Sequence, residues 1–374
     1  MLDQQKKVEY LELIYDLIFV YIIGRNNSLL HQVENGFVSG ELFLAYVFST
    51  LAVIQIWNFS TFYINRYGKN GVREHVFLFT NMYLLYYMAE GTNAHWQASF
   101  YRYCAVWALI LANIGAHYLI ELRSHDVGSS ERRQIRRSAA ILFGEAALVA
   151  ALMLTYRRAG TYAAFVPILF GILATLSSCV NRSVAVDFPH LTERAMLYVV
   201  LTFGEMIVAI SSYFTEGLSL NAVYFSLFAF LIVAGLLLSY GMIYNYVIDR
   251  ERSTSGMGYM LLHVFLIFAL NNITTALEFM REERVALLPK TVFLTVSLVL
   301  YYTCLFLTEL YAKERVRFTP RFRAILLCIA GSFVSLMMLL REQAAVSIAV
   351  TVAYVYGINA MMHFYDETLR RESV

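Results

Sequence analysis

The sequence predicts an all-α, polytopic membrane protein of about twelve transmembrane helices, arranged as two repeated six-helix bundles. Composition is the first observation behind this prediction: 59% of the 374 residues are hydrophobic, only 15% are charged, and there are four prolines. The mean hydropathy of +0.58 excludes an ordinary soluble domain. The second observation is a series of long apolar stretches, and the third is an internal resemblance between the two halves of the chain.

The apolar stretches are predicted to be helices, because backbone groups in lipid must be satisfied within their own segment. Each is long enough to cross a hydrocarbon core of about 30 Å at about 1.5 Å per residue. The alternation with a period of two that marks a membrane barrel is absent from the sequence. In chain order the predicted spans are 9–30, 41–64, 75–94, 100–121, 138–156, 161–180, 193–212, 220–246, 259–279, 290–311, 322–340 and 343–363.

The internal resemblance is clearest between HVFLFTNMYLLYYMAE at 75–90 and HVFLIFALNNITTALE at 263–278. Each segment opens on a histidine and closes on a glutamate, and both pairs are 188 residues apart, as is a recurring Glu-Leu pair. We therefore predict a duplicated unit, with the first six-helix repeat at 1–186 and the second at 187–374. The matched residues are His75 and His263, Glu90 and Glu278, and Glu121 and Glu309.

Basic residues predict the orientation of these helices in the membrane. Loops on the side of the N-terminus carry about three times as many lysines and arginines as the opposite loops, which places both termini in the cytoplasm. The two richest loops, 123–137 and 312–323, hold equivalent positions in the two halves. Since the arginines serve as topology signals, the net charge of +2 gives no reason to expect a nucleic-acid partner.

Charged residues inside the predicted helices are the candidate functional residues, because an ionisable group in the bilayer is costly and faces the protein interior. The first helix carries Glu12 and Asp16 four residues apart, and therefore on one face. The seventh carries His190 and Arg194 on one face, and Glu205 continues that face about three turns later. We expect Asp16 and Glu205 to lie too deep in the membrane for their short side chains to reach water.

These two helices resemble motifs of the bacterial low-temperature-requirement A (LtrA) family of membrane proteins. The first motif is ELIYDLIFVYI at 12–22, and the second is HLTERAMLYVVLTFGEMIVAIS at 190–211. The resemblance implies a location in the bacterial inner membrane and no particular reaction or substrate. Ala195, Met196 and Phe203 depart from the family pattern. The positions that carry over are Glu12, Asp16, His190, Glu193, Arg194, Gly204 and Glu205.

Several further polar residues have both a functional and a structural interpretation. Glu12 and Glu193 could cap or snorkel at helix ends, and Arg194 could act as a clamp that holds carboxylates between helices. Asn271 and Asn272 are typical of hydrogen bonds between helices. The remaining candidates are the repeated residues His75, His263, Glu90 and Glu278, whose recurrence also fits a purely architectural role.

We therefore expect a proton-linked or small-solute secondary transporter, or an ion-translocating protein, in which Asp16 and Glu205 meet at a central cavity between the repeats. The main alternative is a membrane enzyme acting on a lipid or lipid-linked envelope precursor, with His190, Glu193 and Arg194 as an acid-base and phosphate-binding cluster. A non-catalytic scaffold or sensor is a third interpretation.

The expected partners are the lipid bilayer and a small ion or solute. We expect no cofactor and no metal, because the chain has none of the Walker, GxGxxG, HExxH, GxSxG or CxxC motifs. The sequence leaves open whether the protein forms a homodimer. It also leaves open whether the two halves share one cavity or each form their own.

Overall fold

A computed structural model describes residues 6–92, 96–123, 128–178, 186–214 and 219–372, with side chains up to residue 365. Over this part the regular structure is helical, apart from an isolated antiparallel bridge between Ile248 and Ala312 and a hairpin of two two-residue strands, β1 (Val33–Glu34) and β2 (Phe37–Val38). The α-helices in chain order are α1 (Tyr10–Asn26), α2 (Gly40–Tyr67), α3 (Val72–Glu90), α4 (Trp96–Glu121), α5 (Ser129–Ala159), α6 (Phe165–Ser178), α7 (Phe188–Ile210), α8 (Leu220–Met242), α9 (Met257–Arg281), α10 (Leu287–Leu307), α11 (Pro320–Leu339) and α12 (Ala344–Glu372).

Nine of the described helical segments are long and apolar enough to cross a membrane, which confirms the prediction of a multi-pass helical membrane protein. They are Gly40–Tyr67, Trp96–Glu121, Ser129–Ala159, Phe188–Phe214, Leu220–Val247, Met257–Arg281, Leu287–Tyr311, Pro320–Leu339 and Ala344–Tyr365. The count of twelve spans and the repeated bundles stay predictions.

The three helices outside that group are shorter or more polar than the predicted spans. α1 has 17 residues and carries Glu12 and Asp16, and α6 has 14 residues. α3 has 19 residues but includes adjacent Arg73 and Glu74 in its first turn. The predicted third and sixth spans, 75–94 and 161–180, both run beyond the described residues at their C-terminal ends.

The chain divides into two compact units, and the first is made of the described residues within Met1–Gln32, Val38–Tyr198 and Arg250–Val264. It contains α1 to α6, the N-terminal half of α7 and the first residues of α9. α2 is buried along most of its length and contacts α1, α4 and α6. Ser39 is the N-cap residue of this helix, and its hydroxyl accepts a hydrogen bond from Leu42 N at 3.4 Å. α2 is therefore placed to supply partners to its neighbours' polar side chains.

The second unit is made of the described residues within Val33–Phe37, Val199–Asp249 and Phe265–Val374. Within it α8 packs closely on α12, because Gly235 lets the two backbones approach. Asn359 Nδ2 donates to Gly235 O at 2.8 Å, and Ser239 Oγ donates to Asn359 Oδ1 at 2.7 Å. α10 is linked to α8 through Tyr301, whose hydroxyl donates a hydrogen bond to Leu236 O at 2.7 Å. The predicted repeat boundary between residues 186 and 187 stays a prediction.

Candidate functional site

The two acidic residues of α1 face the interior of the first unit. Asp16 has no exposed surface, and Glu12 is 3% exposed. Their spacing of four residues puts both carboxyl groups on one face of the helix, one turn apart. α1 therefore presents two carboxylates together to whatever packs on that face.

Arg194, from the N-terminal half of α7, binds both of these carboxylates. Its Nη2 donates to Asp16 Oδ1 at 2.6 Å, and its Nε donates to Asp16 Oδ2 at 3.4 Å. Its Nη1 lies 3.2 Å from Glu12 Oε2. The guanidinium is fully buried, and its fork geometry lets one cation contact two acids on the neighbouring helix.

Asp16 has a further partner on α2. Trp57 Nε1 donates to Asp16 Oδ1 at 2.8 Å, and the indole ring lies 4.5 Å from the ring of Tyr198. A buried indole N–H requires an acceptor, and here the carboxylate accepts from it and from Arg194. Asp16 thus receives three directed hydrogen bonds, whereas the contact between Glu12 and Arg194 lacks hydrogen-bond geometry.

His190 faces Glu12, with its Nε2 lying 3.4 Å from Glu12 Oε2. Its other nitrogen, Nδ1, lies 3.0 Å from Asn65 Nδ2. The orientation of the Asn65 amide is set by Asp187, since Asn65 Nδ2 donates to Asp187 O and Asn65 Oδ1 accepts from Asp187 N. Because Nδ1 therefore accepts a hydrogen bond, this network assigns the proton of a neutral imidazole to Nε2, on the side of Glu12.

Two charged residues at the start of α7 and near the N-terminus complete the surroundings. The Asp187 carboxylate caps α7 by accepting from His190 N at 3.0 Å and also accepts from Lys6 N at 3.0 Å. Lys6 Nζ donates to Ile64 O and, at 3.0 Å, to Gly68 O. Burial lowers the pKa of the Lys6 ammonium below its ordinary value, and the nearby Glu12 carboxylate opposes this shift.

We call Glu12, Asp16, His190 and Arg194 the Arg194 cluster. The sequence singled out all four, and α1 and α7 bring them together. Glu193 shares the motif but is half-buried and has no ion pair among the described residues. Trp57, Asn65, Lys6 and Asp187 were not among the sequence candidates, because one tryptophan, one asparagine or one helix-capping acid has no distinctive spacing.

Glu205 lies in the C-terminal half of α7, which belongs to the second unit, and it is half-buried. Its charged neighbour there is Glu278, near the C-terminal end of α9. Two sequence candidates, both acids, therefore lie within electrostatic range of each other. Asn271 and Asn272, 2% and 6% exposed, are buried on the same helix, α9. Whether Glu205 and Asp16 meet in one cavity stays a prediction.

The remaining candidates have surroundings that differ between the two matched segments. Glu90 is exposed, with Arg25 Nη2 at 3.8 Å and the Tyr21 hydroxyl donating to it at 3.1 Å. His75 is half-buried, and its Nε2 lies 3.1 Å from Asn70 Oδ1. In contrast, His263 is 1% exposed, and its Nδ1 lies 2.8 Å from a backbone acceptor, Tyr259 O.

The described residues contain no group of three or more histidine, cysteine, aspartate or glutamate side chains arranged to hold a metal ion. No curated protein matches the sequence. The family model described as "Bacterial low temperature requirement A protein (LtrA)" matches residues 7–357, a range that includes the whole Arg194 cluster. The chain therefore belongs to the bacterial low temperature requirement A family.

Proposed function

We propose that the protein is a proton-linked secondary transporter of a small ion or solute, in which the Arg194 cluster binds the coupling proton. The observation that carries this proposal is that two buried carboxylates, Glu12 and Asp16, share one guanidinium beside the imidazole of His190.

The charge balance of the cluster supports proton binding. One guanidinium compensates one carboxylate, and a second uncompensated charge in a medium of low dielectric constant is costly. The Lys6 ammonium lies near Glu12, but it bonds to carbonyl oxygens at the end of α2 and forms no ion pair with either acid among the described contacts. A proton on one of the two acids removes the surplus charge.

Glu12 is the acid that we assign to this proton. Asp16 is held by three hydrogen bonds from Arg194 and Trp57, whereas Glu12 has looser contacts with Arg194 and with His190 Nε2. Protonation of Glu12 weakens its attraction to Arg194 and so loosens one of the two ionic links between α1 and α7. Such a local charge change is the kind of event that biases a helix pair between two arrangements.

Glu205 is the second proton-binding candidate, because it lies near another acid, Glu278. Like-charged acids that share a site favour the protonation of one of them. We further propose that Asp16 and Glu205 serve one translocation pathway, that the protein lies in the bacterial inner membrane, and that both termini are cytoplasmic. The excess of basic residues on the loops of the N-terminal side supports this orientation.

A lipid-active membrane enzyme is the second candidate function, and one cavity in the second unit favours it. The cavity measures about 390 Å³, lies among α10, α11 and α12, and has mainly apolar walls, with Glu309 and Arg323 in its lining. Such a lining suits an amphipathic molecule with an acyl chain. Against this candidate, His190 and Arg194 have no exposed surface from which to reach a lipid headgroup. A lipid identified by mass spectrometry in the purified protein would favour it.

The transport proposal is tested in proteoliposomes that contain a pH-sensitive dye, with an imposed pH gradient and a panel of small ions and solutes. We expect proton movement above that of empty liposomes for the wild type, and loss of that movement in Glu12→Gln and in Glu205→Gln. Glu342→Gln, at an exposed acid after α11, is the matched control and should behave as the wild type.

Each outcome decides a separate part of the proposal. Wild-type movement equal to that of empty liposomes would overturn the proton linkage, provided that circular dichroism shows a folded helical protein. A Glu12→Gln variant that moves protons at the wild-type rate would remove Glu12 from the mechanism, and the same result for Glu205→Gln would remove Glu205.

A further inference from the structure

A second acid in the first unit is as deeply buried as Asp16 but has a different kind of partner. Glu145 lies near the middle of α5 and has no exposed surface. Among the residues that the structure describes, no lysine, arginine or histidine forms an ion pair with it. An ionised carboxylate in such surroundings costs several kcal/mol or more, so the neutral acid is the favoured form.

The group that faces Glu145 is the side-chain amide of Gln55 on α2. Gln55 Nε2 lies 3.5 Å from Glu145 Oε2 and donates to Ile168 O on α6 at 3.3 Å. A backbone carbonyl can only accept a hydrogen bond, so this contact sets the orientation of the amide. The amide nitrogen therefore faces the acid, and the amide oxygen points elsewhere.

Three buried oxygen atoms at this place have no hydrogen-bond partner within the described part of the chain: Glu145 Oε1, Gln55 Oε1 and Asn58 Oδ1. Gln55 and Asn58 also line a cavity of about 20 Å³ within the first unit. None of the residues lining the cavity is titratable, and a volume of this size holds about one water molecule. The cavity thus offers unpaired acceptors and room for one small polar molecule, and the buried Glu145 carboxyl lies beside two of its lining residues, Gln55 and Gly171.

The contact between Glu145 and Gln55 depends on the close approach of the α6 backbone at Gly171. A Cβ atom at this position would lie 2.0 Å from Gln55 Nε2 and 2.2 Å from Glu145 Oε2. Any side chain at position 171 would therefore displace the acid or the amide. Gly171 also lines the cavity, so the helix backbone is part of the wall of the site.

We propose that Glu145, Gln55 and Asn58 form a second proton-binding site, separate from the Arg194 cluster, in which Glu145 is a neutral acid that exchanges its proton with water. The donors and acceptors balance in this arrangement. The Glu145 hydroxyl donates to one water molecule, and that water donates its two hydrogens to the amide oxygens of Gln55 and Asn58. On exchange the O–H bond of the acid breaks, the proton passes to the water, and the carboxylate keeps the Gln55 N–H as donor.

The site is tested by infrared spectroscopy of the purified protein in lipid membranes at neutral pH. We expect a carbonyl stretching band of a protonated carboxylic acid in the wild type, a shift of that band in heavy water, and its loss in Glu145→Gln. Glu342→Gln should keep the band. Wild-type protein labelled with ¹³C-carboxyl glutamate should show the band at a lower frequency, which assigns it to glutamate without any substitution.

Two results would overturn the proposal. If Glu145→Gln retains every protonated-acid band of the wild type, Glu145 is not the neutral acid. If the band is lost in Glu145→Gln but does not shift in the wild type after prolonged exposure to heavy water, the acid does not exchange its proton with water. Neither result bears on the dye experiment for Glu12 and Glu205, so the two proposals fail separately.

Discussion

Asp16 and Glu145 are both acids without exposed surface in the first unit, and the structure satisfies them in opposite ways. Asp16 is surrounded by the guanidinium of Arg194 and the indole N–H of Trp57, which together stabilise a charged carboxylate. Glu145 faces the neutral amide of Gln55 and has no cation among the described residues. Burial alone therefore does not determine whether an acid is charged. The hydrogen-bond and ion-pair partners on the neighbouring helices determine it.

This difference also separates the two proposed roles. A proton that binds within the Arg194 cluster changes an ion pair, so it changes the attraction between α1 and α7. A proton that leaves Glu145 creates a charge with no compensating cation, so exchange there is limited by the cost of that charge. The first site is suited to coupling protonation to helix movement, and the second is suited to holding a proton without such movement.

The largest effect in this comparison is expected for Arg194→Met. The substitution leaves Asp16 buried without its cation, and breaking one side of a buried ion pair typically costs about 3–5 kcal/mol. Denaturant unfolding followed by circular dichroism should show a loss of this size in the free energy of unfolding. Glu145→Gln is the matched control, since it replaces a neutral acid by a neutral amide and should change the free energy by at most about 1 kcal/mol.

The double variant Arg194→Met/Asp16→Asn sharpens this test. It removes both charges of the closest pair, so it should recover part of the stability that Arg194→Met loses. If Arg194→Met were as stable as the wild type, Asp16 would not depend on Arg194 for its charge, and the contrast with Glu145 would not hold.

A smaller loss in the free energy of unfolding is expected for Gly171→Ala, which tests the packing around Glu145 and Gln55. The added Cβ would overlap Gln55 and Glu145, and overpacking in a protein core typically costs about 1–3 kcal/mol. Gly331→Ala in α11 is the control, because a Cβ there meets no atom within 4 Å. Equal unfolding free energies for the two alanine variants would show that the Glu145 and Gln55 side chains are not held as closely as the structure has them.

The smallest effect is expected for Glu90→Gln. The ion pair of Glu90 with Arg25 is 3.8 Å long and both side chains are 45% exposed, and exposed pairs typically contribute about 0–1 kcal/mol. The free energy of unfolding should therefore change by less than about 1 kcal/mol, and less still at high salt. A loss as large as that of Arg194→Met would contradict the view that burial makes the Arg194 cluster different.

Part of the candidate site could be predicted because helical spacing is a local property. Glu12 and Asp16 are four positions apart in the sequence, as are His190 and Arg194. Helical geometry therefore predicts that each pair shares a helix face before any tertiary contact is known. The same spacing did not predict that Trp57 and Asn65 would contact the cluster, because a contact with a residue on another helix produces no pattern in the local sequence. Nor did it predict that Glu193 would stand outside the cluster or that Glu205 would lie near Glu278.

The sequence by itself determined the membrane class, the helical architecture and the presence of costly charges within it, because hydrophobicity and helical period are summed along a continuous segment. Only the tertiary structure decided which of those charges are compensated. That decision depends on contacts between helices far apart in the chain, such as Arg194 with Asp16 and Gln55 with Glu145, and on small residues such as Gly171 that allow the helices to approach. A buried acid takes its chemistry from these neighbours, and their positions exist only in the folded protein.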